Sequence, residues 1–391
     1  MRNMLTQPVR LAVHSHDRGD FANVRHKNVL LYWPHGFGDW AQFSQVLPFL
    51  EPTNRYWITR FGDDSVSLMD GHPTAIPIYL GVNSPHCDDG GQYGIRHFGL
   101  QYDDIHGNEL ELRVPQSLHD VIVREKIEVM LWSSYPEMAG FNPAPYHTKA
   151  RALVKSLAAS FPKRFESPLP RTISLEEDPA LVRMAEARLM NFCGYGSRRL
   201  CLIGRSGYTA VRKNWGHMWR EDLPPGWQRE GQECRDFIHA MLARSRHWCF
   251  LLMEDRDFGD SLKSVETHTF AYSDVFGEPE TAFAPFGRIM KCLVRLASLC
   301  VGVPAGPYHL AAQVAELPTV GIWIEHLPCW YDEPRGGLVH VIGKHAAQRI
   351  GEAGSFLKCG DFNYDSILLD SRTIPGEAVM SAVESLLGRS A

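Results

Sequence analysis

The chain has 391 residues, enough for about two to three domains. Its apolar content of 44% and charged content of 22% are ordinary for a globular protein, and its net charge of −5 gives no indication of a nucleic-acid partner. No segment is as apolar as the roughly 20 residues that a spanning helix needs. We therefore expect a cytoplasmic protein whose only membrane contact would be peripheral, at the inner face.

The nine cysteines are scattered along the chain, without a CxxC pair, and several lie in apolar runs. This pattern predicts buried free thiols in a reducing compartment rather than disulfides or metal ligands. The sequence also lacks an HExxH motif and has no clustered His/Cys pair at ligand spacing. It therefore predicts neither a metal site nor a bound cofactor.

Residues 1–27 are predicted to form an irregular leader, and strands alternate with helices from residue 28 onward. Such alternation is typical of a parallel sheet covered on both faces. Residues 70–112, rich in Gly, His, Asp and Asn, are long for a loop, which favours a functional role. The predicted strands are Val29–Trp33, Arg55–Thr59, Ile76–Tyr79 and Val129–Trp132, and the predicted helices are Trp40–Leu50 and Leu118–Lys126.

A glycine-rich turn follows the first predicted strand and comprises His35, Gly36, Phe37, Gly38 and Asp39. The two glycines allow a sharp bend or a close approach to a ligand. Asp39 directly precedes the predicted helix. It is either a helix cap, which stabilises by about 1 kcal/mol, or a general base that accepts a proton from an acceptor hydroxyl.

A basic amphipathic helix is predicted over residues 147–160. Residues 149–171 contain six basic residues and one acidic residue. The pattern is explained either by a solvated helix face or by contact with an anionic acceptor or lipid head groups. Prolines at 168, 170 and 179 mark a linker near 165–180, so we expect domains over 28–170 and 171–391.

The second half repeats the strand–helix alternation and predicts a second Rossmann-like domain facing the first across a cleft. Its predicted helices are Ala180–Phe192, Gln232–Arg244, Phe286–Ala297, Tyr308–Glu316 and Glu377–Arg389. Its predicted strands are Arg199–Ile203, Trp248–Met253, Leu299–Val303, Thr319–Ile324 and Val339–Ile342.

Three cations, Arg205, Arg212 and Lys213, follow the first strand of this second series. They should lie at the carboxyl end of a parallel sheet, where ligands collect, and they suit a diphosphate. The alternative is a solvated basic loop. Met253 ends the next predicted strand and Glu254 follows it, where a carboxylate would reach a ribose hydroxyl.

A Gly/Pro turn joins the strand Leu299–Val303 to a helix of small residues. Its N–H groups at the helix N-terminus can bind a phosphate. His309 either donates a further hydrogen bond to that phosphate or bonds to nearby backbone. The turn consists of Ala305, Gly306, Pro307 and Tyr308.

In order and spacing these three segments resemble glycosyltransferase family 9, the bacterial ADP-heptose:lipopolysaccharide heptosyltransferases. The resemblance lies in PHGFGD (34–39), the basic loop at 212–215 and ASLCVGVPAGPYHLAAQVAELPT (297–319), and it spans about residues 28–325. It implies the GT-B fold, an α/β architecture of two Rossmann-like parallel-sheet domains facing across a cleft.

The resemblance also implies roles for single residues. Asp39 matches the catalytic base, Lys213 the lysine that binds the donor phosphates, and Gly306 and His309 the phosphate-facing turn. The implied reaction is a metal-independent, inverting transfer of a sugar, a heptose carried by ADP, to a hydroxyl of a glycan, lipid-linked or small-molecule acceptor. The nucleotide-sugar is then a substrate rather than a cofactor.

The chain departs from the family pattern at Pro304-Ala305, where the family has an acid followed by a small hydroxyl residue. Pro304 brings neither a carboxylate nor an N–H, and Ala305 has no hydroxyl. The donor contacts must therefore differ. The alternatives to a transferase are a non-catalytic nucleotide- or glycan-binding protein of the same fold and a GT-B sugar-nucleotide epimerase.

Overall fold

The structure is a computed structural model. It describes residues 6–15, 21–33, 37–59, 64–80, 108–132, 149–157, 169–205, 215, 232–253, 268–277, 282–313, 315–324, 328, 335–352, 358–359, 362–363, 365–371 and 373–388.

The chain divides into two compact units. The described residues as far as 132 and those of 149–174 belong to the first unit, and residues from 175 onward belong to the second. The expected division at 170/171 therefore falls four residues too early. The reason is local: the hydroxyl of Thr172 donates a hydrogen bond to the carbonyl of Ser44 at 2.6 Å, which ties this stretch to the first unit.

The described part of the first unit contains a six-stranded sheet in the order β4-β3-β2-β6-β1-β5. Its strands run parallel, except β5, which pairs antiparallel with β1 at one edge. The strands are β1 (Thr6–Ser15), β2 (Asn28–Tyr32), β3 (Arg55–Thr59), β4 (Ala75–Pro77), β5 (Glu109–Pro115) and β6 (Val129–Trp132). The helices are α1 (Phe37–Ser44), α2 (Gln116–Arg124) and α3 (Lys149–Leu157), with 3₁₀ turns at Phe21–Asn23, Leu47–Phe49 and Asp64–Met69.

The expectation of an irregular leader over 1–27 is wrong, because β1 occupies ten of those residues. Val9, Leu11 and Val13 alternate along it and are buried. A period of two in apolar residues is what a strand with one face in the core requires. The signal was present in the sequence, but the strands that flank β1, β5 and β6, lie about a hundred residues further along the chain.

The helix predicted over Trp40–Leu50 is shorter and begins earlier. It runs from Phe37 to Ser44 and is followed by a 3₁₀ turn that contains Pro48. Proline is tolerated in the first turn of a helix but not in its interior, which explains why the continuous helix stops before it.

The described part of the second unit contains a seven-stranded sheet in the order β15-β12-β11-β10-β7-β8-β9, in which all pairings are parallel. The strands are β7 (Arg199–Gly204), β8 (Trp248–Leu252), β9 (Thr269–Ala271), β10 (Leu299–Gly302), β11 (Thr319–Trp323), β12 (Leu338–Ile342) and β15 (Ser366–Leu368), and a separate short pair is formed by β13 (Lys358–Cys359) and β14 (Phe362–Asn363). The helices are α4 (Pro179–Cys193), α5 (Gln232–Arg244), α6 (Tyr272–Phe276), α7 (Phe286–Leu296), α8 (Gly306–Gln313), α9 (Lys344–Glu352) and α10 (Gly376–Gly388).

Helices α5 and α10 cover one face of this sheet. Phe237 of α5 and Val383 of α10 share a buried core with Ile203, Val301 and Ile322 from three neighbouring strands. Parallel strands buried on both faces read as continuous apolar runs, which is why they were predictable. The edge strands β9 and β15, three residues each, were not predicted.

Cysteines contribute to the core as thiols. Burial raises the pKa of Cys193 and Cys300 to about 12 and that of Cys249 to about 11, so these side chains stay protonated. The prediction of buried thiols is confirmed for six of the nine cysteines, those at 193, 201, 234, 249, 292 and 300.

A buried charged cluster ties the start of the second unit to α7. The Glu177 side chain is only 3% exposed, and one of its carboxylate oxygens accepts from Arg288 at 2.8 and 2.9 Å. The other lies 3.5 Å from the ammonium of Lys291, a side chain with no exposed surface. Because each group compensates the desolvation of the others, removal of one leaves a buried charge without its counterion.

Replacing Glu177 by Gln should therefore lower the free energy of unfolding by roughly 3–5 kcal/mol. Urea unfolding followed by circular dichroism measures the change. The matched control is Glu384→Gln, which breaks the half-exposed pair with Arg244 and should cost under about 1 kcal/mol. Similar losses in the two variants would contradict the importance of the buried cluster.

Candidate functional site

Asp39 is the third residue of α1, in the first unit. Its side chain is partly exposed, between the buried Gly38 and Trp40. Since α1 follows β2, Asp39 lies at the carboxyl end of a parallel strand, and the positive end of the helix dipole favours its carboxylate. Phe37 begins the helix, whereas His35 and Gly36 lie outside the described residues.

The strand and helix that carry Asp39 are firmly packed together. The ring of Trp33, directly after β2, stacks on Phe43 of α1 with 4.2 Å between ring centroids, and both rings are buried. A carboxylate on such a scaffold keeps its position with little loss of entropy on binding, which a general base requires.

In the second unit, Arg205 directly follows β7 and is only 1% exposed. Its carbonyl accepts a hydrogen bond from the N–H of Trp215 at 2.8 Å, and the indole of Trp215 donates to the carbonyl of Ile374 at 2.8 Å. These contacts fix both ends of the segment between 205 and 215. Arg212 and Lys213 belong to that segment and lie outside the described residues.

Three neighbouring strands carry glycine at the same level of the sheet. Gly302 of β10 pairs with Gly204 of β7 on one side and with Gly321 of β11 on the other. We refer to Gly204, Gly302 and Gly321 as the glycine row. Strands β7 and β10 both end at this row, so it lies at the carboxyl edge of the sheet.

The order of the strands in the sheet reverses at the glycine row. Strands β8 and β9 lie on the far side of β7, whereas β11 and β12 lie on the far side of β10. Helix α5, which follows β7, packs on one face, while Tyr308 of α8, which follows β10, packs on the glycine row. Outside the ends of two such strands an open α/β sheet has a crevice, and ligands bind there.

Tyr308 fills the space above two glycines of the row. A Cβ built on Gly321 would lie 2.6 Å from its hydroxyl, 2.7 Å from Nε1 of Trp323 and 2.9 Å from Nδ1 of His340. Trp323 donates to that nitrogen of His340 at 2.8 Å, so His340 is held with Nδ1 unprotonated. A buried polar cluster of Tyr308, Trp323 and His340 thus anchors the start of α8.

At Gly204 the row is open. Among the described residues no atom lies within 4 Å of the position that a Cβ would occupy there. The open position is next to the buried Arg205 and beside the end of β10. As far as the described residues show, a ligand at this edge has space above Gly204, and Arg205 is the next residue along the chain.

The turn after β10 has fewer N–H groups that could bind a phosphate than its sequence indicated. The N–H of Ala305 donates to the carbonyl of Val303 at 2.7 Å, and Pro304 and Pro307 have no N–H. The other N–H groups of this turn belong to Gly306 and Tyr308. The helix starts at Gly306 instead of the predicted Tyr308.

His309 is 3% exposed and contacts the ring of Tyr308 edge to face, with 5.3 Å between centroids. Its side chain is therefore part of the packing of α8 as well as a candidate ligand. Met253 is half-buried, and its N–H donates to the carbonyl of Ile203 at 2.9 Å. Glu254 lies outside the described residues.

The glycine row and the Trp323–His340 pair were not predicted as parts of a site. The glycines are visible at the ends of the predicted strands, but their alignment depends on strand register, which one sequence does not reveal. Within the described residues, no three His, Cys, Asp or Glu side chains are grouped so that they would hold a metal ion. Among the same residues no helix combines the length and apolarity needed to span a membrane.

No protein-family model and no curated protein matches this chain in sequence. Solved structures match it in architecture. E. coli ADP-heptose LPS heptosyltransferase II gives a TM-score of 0.54 at 11% identity, over 93% of this chain and 100% of that chain. The family 9 glycosyl transferase of Veillonella parvula gives 0.54 at 10% identity, over 93% and 98%. The fold is GT-B.

The prediction of an α/β fold with two parallel-sheet domains of GT-B type is therefore confirmed. At 10–11% identity the shared property is the fold. The activity has to be argued from this chain's own residues.

The glycine row yields a stability prediction. Gly321→Ala should lower the free energy of unfolding by roughly 1–3 kcal/mol, because the added methyl group displaces Tyr308, Trp323 or His340 from the buried cluster. Gly204→Ala, in the same row but facing open space, is the matched control and should be nearly neutral. Urea unfolding of both variants measures the difference, and equal stability of the two would refute the packing argument.

Proposed function

We propose that the protein is a glycosyltransferase that moves a sugar from a nucleotide-diphosphate donor to an acceptor hydroxyl. The observation that supports this most strongly is the carboxyl edge at β7 and β10. There the strand order reverses, and the open position at Gly204 is followed by the buried Arg205. Such an edge suits the diphosphate of a nucleotide-sugar.

The donor diphosphate is assigned to the second unit. Arg205 is held in place by burial, and Arg212 and Lys213 follow within eight residues of it. Guanidinium and ammonium groups offset the charge that develops on the leaving diphosphate as its bond to the anomeric carbon breaks. The N–H groups of Gly306 and Tyr308 at the start of α8 add to this stabilisation.

The acceptor is assigned to the first unit, where Asp39 acts as general base. Its carboxylate takes the proton of the acceptor hydroxyl while the hydroxyl oxygen forms the new bond to the anomeric carbon. The diphosphate leaves from the opposite side, so the configuration at that carbon inverts. The reaction needs no metal if the cations of the second unit carry the charge of the leaving group.

The donor is proposed to be ADP-heptose, and the site of action to be the cytoplasm. This choice of donor rests on the resemblance of the sequence motifs to the heptosyltransferases; E. coli ADP-heptose LPS heptosyltransferase II shares the fold with this chain. Pro304 and Ala305 supply no side-chain hydrogen bond. The base and the sugar therefore have to be recognised by other residues, and a nucleotide panel is the direct way to identify them.

Binding of ADP, GDP, UDP, CDP and dTDP should be measured by calorimetry without metal. One nucleotide, expected to be ADP, should bind selectively, and Lys213→Ala should weaken it by about tenfold or more through the loss of a charge-assisted hydrogen bond. Lys126→Ala, an exposed lysine of the first unit, is the control and should bind as the wild type does. Equal weakening by both variants would remove Lys213 from the donor site.

Asp39→Asn should lower the transfer rate by roughly 10²–10⁴-fold while the affinity for the nucleotide stays unchanged. The isosteric amide keeps the helix start but accepts no proton at neutral pH. Asp120→Asn, on the exposed surface of α2, is the control. Transfer at the wild-type rate by Asp39→Asn would exclude Asp39 as the base.

A second candidate is a non-catalytic nucleotide- or glycan-binding protein, which the Pro304-Ala305 pair favours. It predicts that nucleotide or glycan binds but that no sugar is transferred to any acceptor. In that case Asp39→Asn would leave the biological activity of the protein intact. The Asp39→Asn and Asp120→Asn pair therefore also distinguishes the two candidates.

A further inference from the structure

A pocket lies at the opposite edge of the second sheet from the glycine row. It has a volume of about 510 Å³ and opens at the amino-terminal ends of β7 and β8. The polar residues that line it come from the turns that lead into these two strands: Ser197, Arg198, Arg199, Ser245 and His247. Trp248 and the last turn of α10 complete its wall.

The ionisable side chains that line this pocket are all basic. Its lining contains two arginines and a histidine and no carboxylate. Elsewhere in the second unit, Arg244 and Arg288 lie against glutamates. Among the described residues, neither Arg198 nor Arg199 has a carboxylate partner, so their charges are available to an anion.

Both arginines contact other parts of the fold, with Arg198 partly buried and Arg199 exposed. Arg198 donates to the carbonyl of Cys193 at the end of α4, at 3.3 Å, which uses part of its guanidinium on the helix end. The guanidinium of Arg199 lies over the ring of Trp248, 6.0 Å from the centroid. A guanidinium over an aromatic ring gains a cation–π contact that does not use its N–H groups, which can therefore donate to a ligand.

The turn before β7 is itself rigid. Gly194 and Gly196 adopt left-handed φ values of 67° and 97°. The hydroxyl of Ser197 donates to the carbonyl of Gly194 at 2.9 Å, and the hydroxyl of Tyr195 donates to the carbonyl of Leu296 at 3.2 Å. In the other turn the Oγ of Ser245 accepts from the N–H of His247 at 3.3 Å, so its own proton is available to donate.

We infer that this pocket binds a phosphate group, through Arg199 with Arg198, His247 and the hydroxyl of Ser245. The negative ends of α4 and α5 oppose an anion here with roughly half a charge each, which two full guanidinium charges exceed. The site is separate from the donor edge, so it is independent of the proposed transferase activity. A phosphate on a soluble molecule and one on a lipid head group present the same chemistry to it.

The test is a titration of 5-fluorotryptophan-labelled protein with inorganic phosphate, at constant ionic strength, followed by ¹⁹F NMR. The resonance of Trp248, assigned by its loss in Trp248→Phe, should shift and saturate. Arg199→Gln should weaken binding by about tenfold. Arg246→Gln is the matched control, because Arg246 lies in the same turn as His247 but does not line the pocket; it should change binding by less than about twofold.

Two results would overturn the inference: no saturable shift of Trp248, or equal weakening by Arg199→Gln and Arg246→Gln, which indicates only diffuse attraction. A second titration with vesicles of phosphatidylglycerol, against vesicles of phosphatidylcholine, distinguishes the source of the phosphate. Binding to the anionic vesicles that is lost in Arg199→Gln assigns the pocket to a head group, and binding of free phosphate alone assigns it to a soluble ligand.

Discussion

Helix α8 can approach one face of the second sheet closely only because residues 302 and 321 are glycines. A Cβ at Gly302 would lie 2.9 Å from the carbonyl oxygen of Gly204, and one at Gly321 would overlap the buried polar cluster. Only without these side chains can Tyr308 lie flat on the strands and bring the start of α8 down to the sheet. The position of the turn after β10 and of the crevice beside it follow from this contact.

Most of the fold could be predicted because its signals are local. Strands such as Arg55–Thr59 and Val129–Trp132 and the helix Gln232–Arg244 have the predicted bounds, since continuous apolar runs and 3.6-residue periodicity are readable within one window. The elements that were not predicted depend on partner strands that are distant in the sequence. The three-residue edge strand β15 is ordered by pairing with β12 and carries little apolar pattern of its own.

The residues of the candidate site were likewise predictable only where their signals are local. Asp39 at the start of a helix and Arg205 after a strand were visible from local pattern. The glycine row was not, because its three residues are spread over more than a hundred positions, from 204 to 321, and become neighbours only through register. Nor could the sequence show that the N–H of Ala305 is used by Val303, or that His309 packs against Tyr308. Both contacts depend on how the turn closes in three dimensions.

Strand β1 has a consequence for how the first unit is made. It lies between β6 and β5, so its partners are synthesised only after about a hundred further residues have emerged from the ribosome. Until then its row of buried valine and leucine side chains has no sheet to join, and β2 to β4 can pair only among themselves. Strand β1 therefore has no partner until β5 and β6 have been made, and the pairings that complete this sheet are non-local, which is typical of slow folding.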